Sequence, residues 1–207
     1  GHRDEFLYTV AAYTGMRQGE ILALTWSDVD IDGCDPVCWV RQTVGYINGK
    51  GFVFRPTAKS KKSRREIPLP EIAVEALKKQ RAMIREEKVK AGPKYDRTCT
   101  LVFPNTLGRP MDPSSMTRRF KRLAVKAGFP DVRFHDLRHT HATLLLKAGV
   151  HPKVVQERLG HQTIGITMDT YTHVLRGMQR EAVDKLNEYL LKKNGHQIGT
   201  FEEKGRQ

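Results

Sequence analysis

The chain has 207 residues, 39% hydrophobic and 29% charged, with 36 Lys and Arg against 23 Asp and Glu for a formal net charge of +13. That length suits one sizeable core, and no apolar run approaches the roughly 18 residues a membrane-spanning helix needs. So large a basic excess repels itself unless a polyanion is near, so nucleic acid leads as the expected partner; a membrane would call for a basic amphipathic helix that is not evident. Three cysteines, an odd number, fit a reducing compartment better than a disulfide framework. A start of Gly-His-Arg-Asp-Glu, without initiator methionine or apolar leader, reads as an excised fragment of a soluble, cytoplasmic protein, with Gly1 and His2 as a cloning remnant.

Phe6, Leu7, Val10, Ala11 and Thr14 follow one helical face, which breaks at Gly15 and resumes with Ile21, Leu22 and Leu24. This predicts two helices joined by a tight corner, TGMRQGE, with Arg17 where the second begins. Beyond the turn-rich WSDVDIDG, the segments VCWVRQTV, FVFRP and REIPL read as strands of one small antiparallel sheet, the first two joined by the turn INGKG. Between the second and third lies the basic tip TAKSKKSRR. Cys34 and Cys38 have the spacing of half a zinc site, but Cys99 stands alone and the other half is missing.

Helical periodicity returns from Glu71 to about Lys90, with Ile72, Ala76, Met83 and Ile84 inward. Asp112 followed by Pro113 predicts a capped helix that Gly128 ends. The stretch FHDLRHTHAT opens another, closed by Gly149, and Pro152 starts a third that stops at Gly160. TIGITMDTYTH and MQREAVDKLNEYLLKK supply two more helices, and residues 194–207 read as a flexible tail. The fold class is therefore α+β: one mostly helical domain, residues 1–193, with a small antiparallel sheet.

FHDLRHTHAT crowds three histidines and an arginine into seven positions. HDLRH imitates the H-E-x-x-H zinc motif, but the glutamate base is missing, and Arg138, three residues after His135, puts a fixed positive charge beside any cation held there. An anion site suits the pair better, since arginine offers a planar fork to two phosphate oxygens and histidine can give or take a proton near neutral pH. His141 reads as satisfied by local hydrogen bonds, and His139 as packing or supporting its neighbours. Taken alone, H-x-x-R recurs in many proteins.

Its company is more specific. In chain order come Arg17 in TGMRQGEILAL, a basic hairpin tip, His135 and Arg138, His161 after ERLG, and Tyr171 in DTYTHV. This set resembles the tyrosine recombinase (phage integrase) family, above all the integrases of conjugative transposons and phages, over nearly the whole chain. The resemblance implies the integrase catalytic fold, and a DNA recombinase that cleaves and rejoins strands through a 3′-phosphotyrosyl intermediate to integrate or excise a mobile element. No metal and no cofactor are expected.

It also implies roles. Arg17 and Arg138 would hold the non-bridging phosphate oxygens, Tyr171 would be the nucleophile, His135 would take its proton, and His161 would bond the phosphate. Lys59 is the expected general acid, with Lys61 and Lys62 as alternatives on the same tip. Glu20 stands either as a brace for Arg17 or as an ordinary solvent-facing glutamate, and His139 as a supporting residue. Lys61, Lys62, Arg64, Arg65, Arg118 and Arg119 are expected to meet double-stranded DNA. A bacterial homo-oligomer, dimer to tetramer on its DNA sites, is implied, with the last helix docked either on its own domain or on a neighbour.

The family's N-terminal core-binding and arm-binding domains are not among these 207 residues, which predicts weak, salt-sensitive DNA binding. Two rivals share the fold or the chemistry: a DNA-binding regulator without catalysis, and a type IB topoisomerase.

Overall fold

Helix α1 (Glu5–Thr14) buries Leu7, Val10, Ala11 and Thr14, the predicted face, while Phe6 stays half-buried. It stops at Gly15, whose φ of 66° lets its N–H bond the Ala11 carbonyl at 3.0 Å. Helix α2 (Gln18–Leu22) follows directly. Its third residue, Glu20, reaches back to accept the Arg17 backbone N–H at 2.8 Å, satisfying a donor that the helix start leaves free. The computed structural model describes residues 2–57, 65–161, 163, 183–184 and 186–191.

Five strands come next: β1 (Val29–Asp30), β2 (Val37–Val40), β3 (Gln42–Ile47), β4 (Gly51–Pro56) and β5 (Arg65–Pro68). They form two antiparallel sheets where the sequence predicts one, the first ordered β1-β2-β5 and the second the hairpin β3-β4. The predicted strand over 37–44 divides at Arg41. There the carbonyl turns to accept both the backbone N–H and the hydroxyl of Thr57, at 2.9 and 3.0 Å, so the chain leaves β5 and takes β4 as its partner.

Helix α3 (Glu71–Ala91) packs against α1 and buries Ala73, Val74, Ala76, Leu77, Gln80 and Ile84. Ile72, expected inward, is 46% exposed, and Met83 is only half-buried. A glutamine inside the stripe hides its true centre: Gln80 is buried because its amide donates to the Val102 carbonyl at 2.9 Å.

Helix α4 (Pro113–Lys126) starts as predicted, with the Asp112 carboxylate accepting the Ser115 N–H at 2.6 Å. Its Phe120 sits edge-on to Tyr8 and to Phe134, tying α4 and the approach to the next helix onto α1. Helix α5 (Asp136–Lys147) packs against α1, and α6 (Pro152–Leu159) against α5 and β5. Ala142, Leu146, Val155 and Leu159 form a second, smaller cluster beside the main core. Leu146 and Leu159 are fully buried there, each worth about 1.5–3 kcal/mol. This cluster fixes the pitch of α6, whose C-terminal end becomes part of the site. The predicted tail and most of the last two predicted helices lie outside the described residues. No described helix is long and apolar enough to cross a membrane.

Candidate active site

Helix α5 places Arg138 three residues beyond His135, and the packing of α5 on α1 drives the arginine inward until only 3% of it is exposed. A buried guanidinium must find acceptors. Nη1 donates to the Gly15 carbonyl and Nη2 to the Leu159 carbonyl, each at 2.7 Å, so Arg138 bridges the α1–α2 corner and the end of α6. Burial lowers its pKa to about 9, with the Arg17 charge adding to the effect and Glu20 opposing it, so the group stays protonated at neutral pH.

Arg17, at the start of α2, donates Nη1 to Glu20 Oε1 at 2.9 Å and Nη2 to the Gly160 carbonyl at 3.0 Å, with its side chain 43% exposed. Glu20 therefore does brace Arg17, and it is far from solvent at 5% exposure. Both its oxygens are also taken by Arg65, at 3.1 Å from Nη1 and 2.7 Å from Nη2. Burial by itself would raise the Glu20 carboxyl, but the hydrogen bonds and charge of Arg65, joined by the Arg17 N–H, outweigh it and hold the group at about 2.

Arg65 corrects an expectation. Placed in the sequence with the DNA-facing tip, it is turned inward instead, 9% exposed, and its Nε donates to the Arg158 carbonyl at 2.7 Å. The alternation of β5 explains this: Arg65 and Ile67 are buried while Glu66 and Pro68 face out, and an inward Ile67 carries the residue two before it to the same side. That parity was the signal available in REIP.

The three arginines thus donate to three successive carbonyls, Arg65 to that of residue 158, Arg138 to 159 and Arg17 to 160. These oxygens belong to the C-terminal end of α6, where carbonyls lack helical partners and the helix dipole favours positive charge. Gly160 permits the arrangement. Its φ is 67°, and a Cβ there would stand 2.9 Å from Arg65 Nη1.

His161 follows at once, its backbone N–H donating to the Gln156 carbonyl at 3.1 Å. Burial lowers its imidazole pKa to about 4, reinforced by the charges of Arg138 and Arg17 and then by His139 and Arg65. His135 stands immediately before α5, its ring edge-on to His139 with centroids 4.8 Å apart. Its pKa is also lowered, first by burial, then by His139 and Arg138. Both imidazoles are therefore neutral near pH 7. Among the described residues, Glu20 is the one carboxylate among the hydrogen-bond partners of these three guanidinium groups, a surplus of positive charge suited to an anion.

His141 is satisfied as expected: its Nε2 accepts from Arg158 Nε at 3.1 Å, and burial, with the Arg158 charge, lowers it to about 4. Arg158, which the sequence did not single out, also donates to the Tyr13 and Pro68 carbonyls at 3.3 and 3.1 Å. On α4, Arg118 is exposed and donates to Ser115 Oγ at 2.9 Å. Arg119 instead folds back onto the buried Asp4, its Nε 2.5 Å from Oδ2, so its guanidinium is engaged within the protein. Lys59, Lys61, Lys62, Arg64 and Tyr171 lie outside the described residues. Among those described, no three His, Cys, Asp or Glu side chains come together as a metal site.

This convergence sits on a fold already known. Residues 1–177 match the phage integrase family, and the chain belongs to it. A tyrosine recombinase XerC-like protein of Caldanaerobacter subterraneus subsp. tengcongensis is 38% identical over 198 residues, covering 92% of this chain and 51% of that protein. The ICEBs1 integrase of Bacillus subtilis is 30% identical over 189 residues, covering 88% and 48%. The chain thus spans about half the length of these relatives.

Among solved structures, the Tn1549 transposon integrase in complex with transposon right end DNA superposes with a TM-score of 0.75 at 23% identity, covering 89% of this chain and 59% of that one. The XerA recombinase gives 0.66 at 29%, covering 87% and 58%. The α+β fold expected from the sequence, the tyrosine recombinase catalytic fold, is the one present.

Proposed function

We propose that this chain is the catalytic domain of a site-specific DNA recombinase that integrates or excises a mobile element. The observation that carries the reading is the set of guanidinium groups on the end of α6, with neutral His161 beside them. Attack on a phosphodiester spreads negative charge over the non-bridging oxygens, so donors fixed in advance stabilise the transition state more than the ground state. Arg138, anchored on two carbonyls, and Arg17, anchored on one carbonyl and Glu20, are held for that task. The integrase relatives and the DNA named in the Tn1549 complex support the substrate class.

The chemistry balances without metal or nucleotide. Tyr171 Oη attacks phosphorus while the bond from phosphorus to the 5′ oxygen breaks. The phenolic proton passes to His135, whose lowered pKa leaves it unprotonated and able to accept. Lys59 delivers a proton to the departing 5′ oxygen, and His161 bonds a phosphate oxygen. A 5′-hydroxyl from another strand then attacks the 3′-phosphotyrosyl link and releases the tyrosine.

The recombination sites would be double-stranded DNA, engaged by Lys61, Lys62, Arg64 and Arg118 through backbone phosphates. Two to four copies would assemble there. The exposed Val183, Leu186, Tyr189, Leu190 and Leu191 support docking of the last helix on a neighbouring copy.

A nicked suicide substrate tests the whole reading, because the short fragment beyond the nick diffuses away and strands the covalent product. The expected result is a protein-DNA adduct located on Tyr171 by mass spectrometry and abolished by Tyr171→Phe. Tight DNA binding with no adduct would instead indicate a non-catalytic regulator, and plasmid relaxation without exchange between sites a topoisomerase.

A further inference from the structure

In Arg65 each of the three side-chain nitrogens is engaged within the protein: Nε on the Arg158 carbonyl, Nη1 and Nη2 on the two oxygens of Glu20. We propose that Arg65 is a positioning residue for the transesterification described above, one that sets Arg17 and the end of α6 in place by holding Glu20 and the Arg158 carbonyl together. The inference rests on that reading of the function.

Glu20 is the only carboxylate among the hydrogen-bond partners of Arg17 and Arg65 in the described residues, and both arginines use it. Arg65 approaches as a fork and satisfies both oxygens, so Arg17 makes one side-chain bond to Glu20 and its Nη2 goes to the Gly160 carbonyl, with the side chain 43% exposed. Without Arg65, Glu20 can take Arg17 as a fork of its own. The arginine would then be drawn toward the protein and away from an incoming phosphate.

The second effect runs through α6. Arg65 Nε grips the carbonyl of residue 158, and the next two carbonyls in the chain hold Arg138 and Arg17. Gly160 lets the main chain come close enough for this, since an added Cβ would meet Arg65 at Nη1 and Cδ, 2.9 and 3.2 Å away. One buried side chain thus fixes the anchors of both phosphate-facing arginines. Lysine cannot replace it, because a single ammonium cannot present a planar fork and a third donor to three oxygens at once.

The test compares two substrates in single-turnover cleavage at saturating protein: a nicked DNA with a normal scissile phosphodiester, and the same DNA with a methylphosphonate at that position. The methylphosphonate carries no charge there and asks less of the guanidinium groups. With Arg65→Gln, the expected phosphodiester cleavage rate falls about 100-fold, as for a group misplaced by an ångström, while the methylphosphonate rate falls less than about 3-fold. Arg65→Lys should lie between wild type and Arg65→Gln.

If Arg65 only maintained the fold, its loss would change the amount of active protein and leave the ratio of the two rates as in the wild type. An unchanged ratio between the substrates, or an undiminished phosphodiester rate, therefore overturns the proposal. Absence of any adduct from the unsubstituted protein on either substrate is a separate result, which overturns the recombinase reading and this inference with it.

Discussion

Arg138 and Gly15 stand 123 residues apart in sequence and meet through a 2.7 Å hydrogen bond from the guanidinium Nη1 to the glycine carbonyl. The corner between α1 and α2 is therefore part of the site's scaffold as well as a turn. Gly15 holds a φ of 66°, and a Cβ added there would lie 2.6 Å from Leu159 Cδ2 and 2.8 Å from the His141 ring.

Gly15→Ala should accordingly destabilise the protein by at least about 1–3 kcal/mol from backbone strain, with the clash against Leu159 adding to it. At this chain length each kcal/mol lowers Tm by about 2–4 °C. A thermal melt indistinguishable from wild type would refute this account of the corner.

Arg138→Lys keeps a positive charge but cannot bond both the Gly15 and Leu159 carbonyls in the same geometry. The cleavage rate on a nicked substrate should fall by about 100- to 1000-fold, the size of a lost oxyanion donor. DNA affinity should change far less. A comparable loss in binding would show that the residue serves the ground state.

Glu20 gives a pH signature with a defined sign. Its carboxyl is depressed from 4.5 in the unfolded chain to about 2 in the fold, so its contribution is complete above pH 4.5 and disappears as pH falls toward 2. The stability gap between wild type and Glu20→Gln should be about 3 kcal/mol near neutrality, breaking a buried pair, and should shrink steadily across that window. A gap independent of pH would remove the ion-pair explanation.

His141 and His161 behave in the same direction from a different origin. Each is lowered from 6.5 to about 4 in the fold, so the unfolded chain binds protons first and stability declines as pH falls from 6.5 to 4. Two imidazole resonances with NMR midpoints near 4 are expected. Bound DNA should raise the His161 midpoint and leave that of His141 in place.

Arg118 and Arg119 are neighbours with different fates. Arg118→Ala should leave stability within about 0.5 kcal/mol of wild type and reduce the salt slope of DNA binding by about 1. Arg119→Ala should cost about 1–3 kcal/mol by removing the partner of buried Asp4, with the salt slope unchanged. Urea titration and binding at several salt concentrations separate the two.

Local rules made much of this fold legible. The Asp112–Pro113 start, the Gly15 and Gly160 stops and the inward face of α1 follow from capping and periodicity, and all stand in the structure. Failures occurred where a distant partner decides. The hydroxyl and N–H of Thr57 divide one expected strand at Arg41, and Val102 buries Gln80 in a stripe that apolar residues alone place elsewhere.

The candidate site divides along the same line. Arg17, Glu20, His135, Arg138 and His161 stand out in the sequence by their types and order, and their roles are those proposed above. Arg65 could not be read as a clamp by charge alone, since a basic residue beside a basic tip suggests DNA; only strand parity with Ile67 points it inward. Arg119 was misplaced for a related reason, because its Asp4 partner lies 115 residues away.

The acceptors at the end of α6 are main-chain oxygens, and this makes the tolerance of the segment lopsided. Most side chains at 158 and 159 can be exchanged without deleting a single oxygen that receives Arg65 or Arg138, whereas replacing either donor, or giving Gly160 a side chain, breaks the row. A saturation screen of this region should therefore find intolerant positions at Gly160 and the buried Leu159 and also on β5, on α5 and just before α2, the latter three far along the chain from the helix they serve.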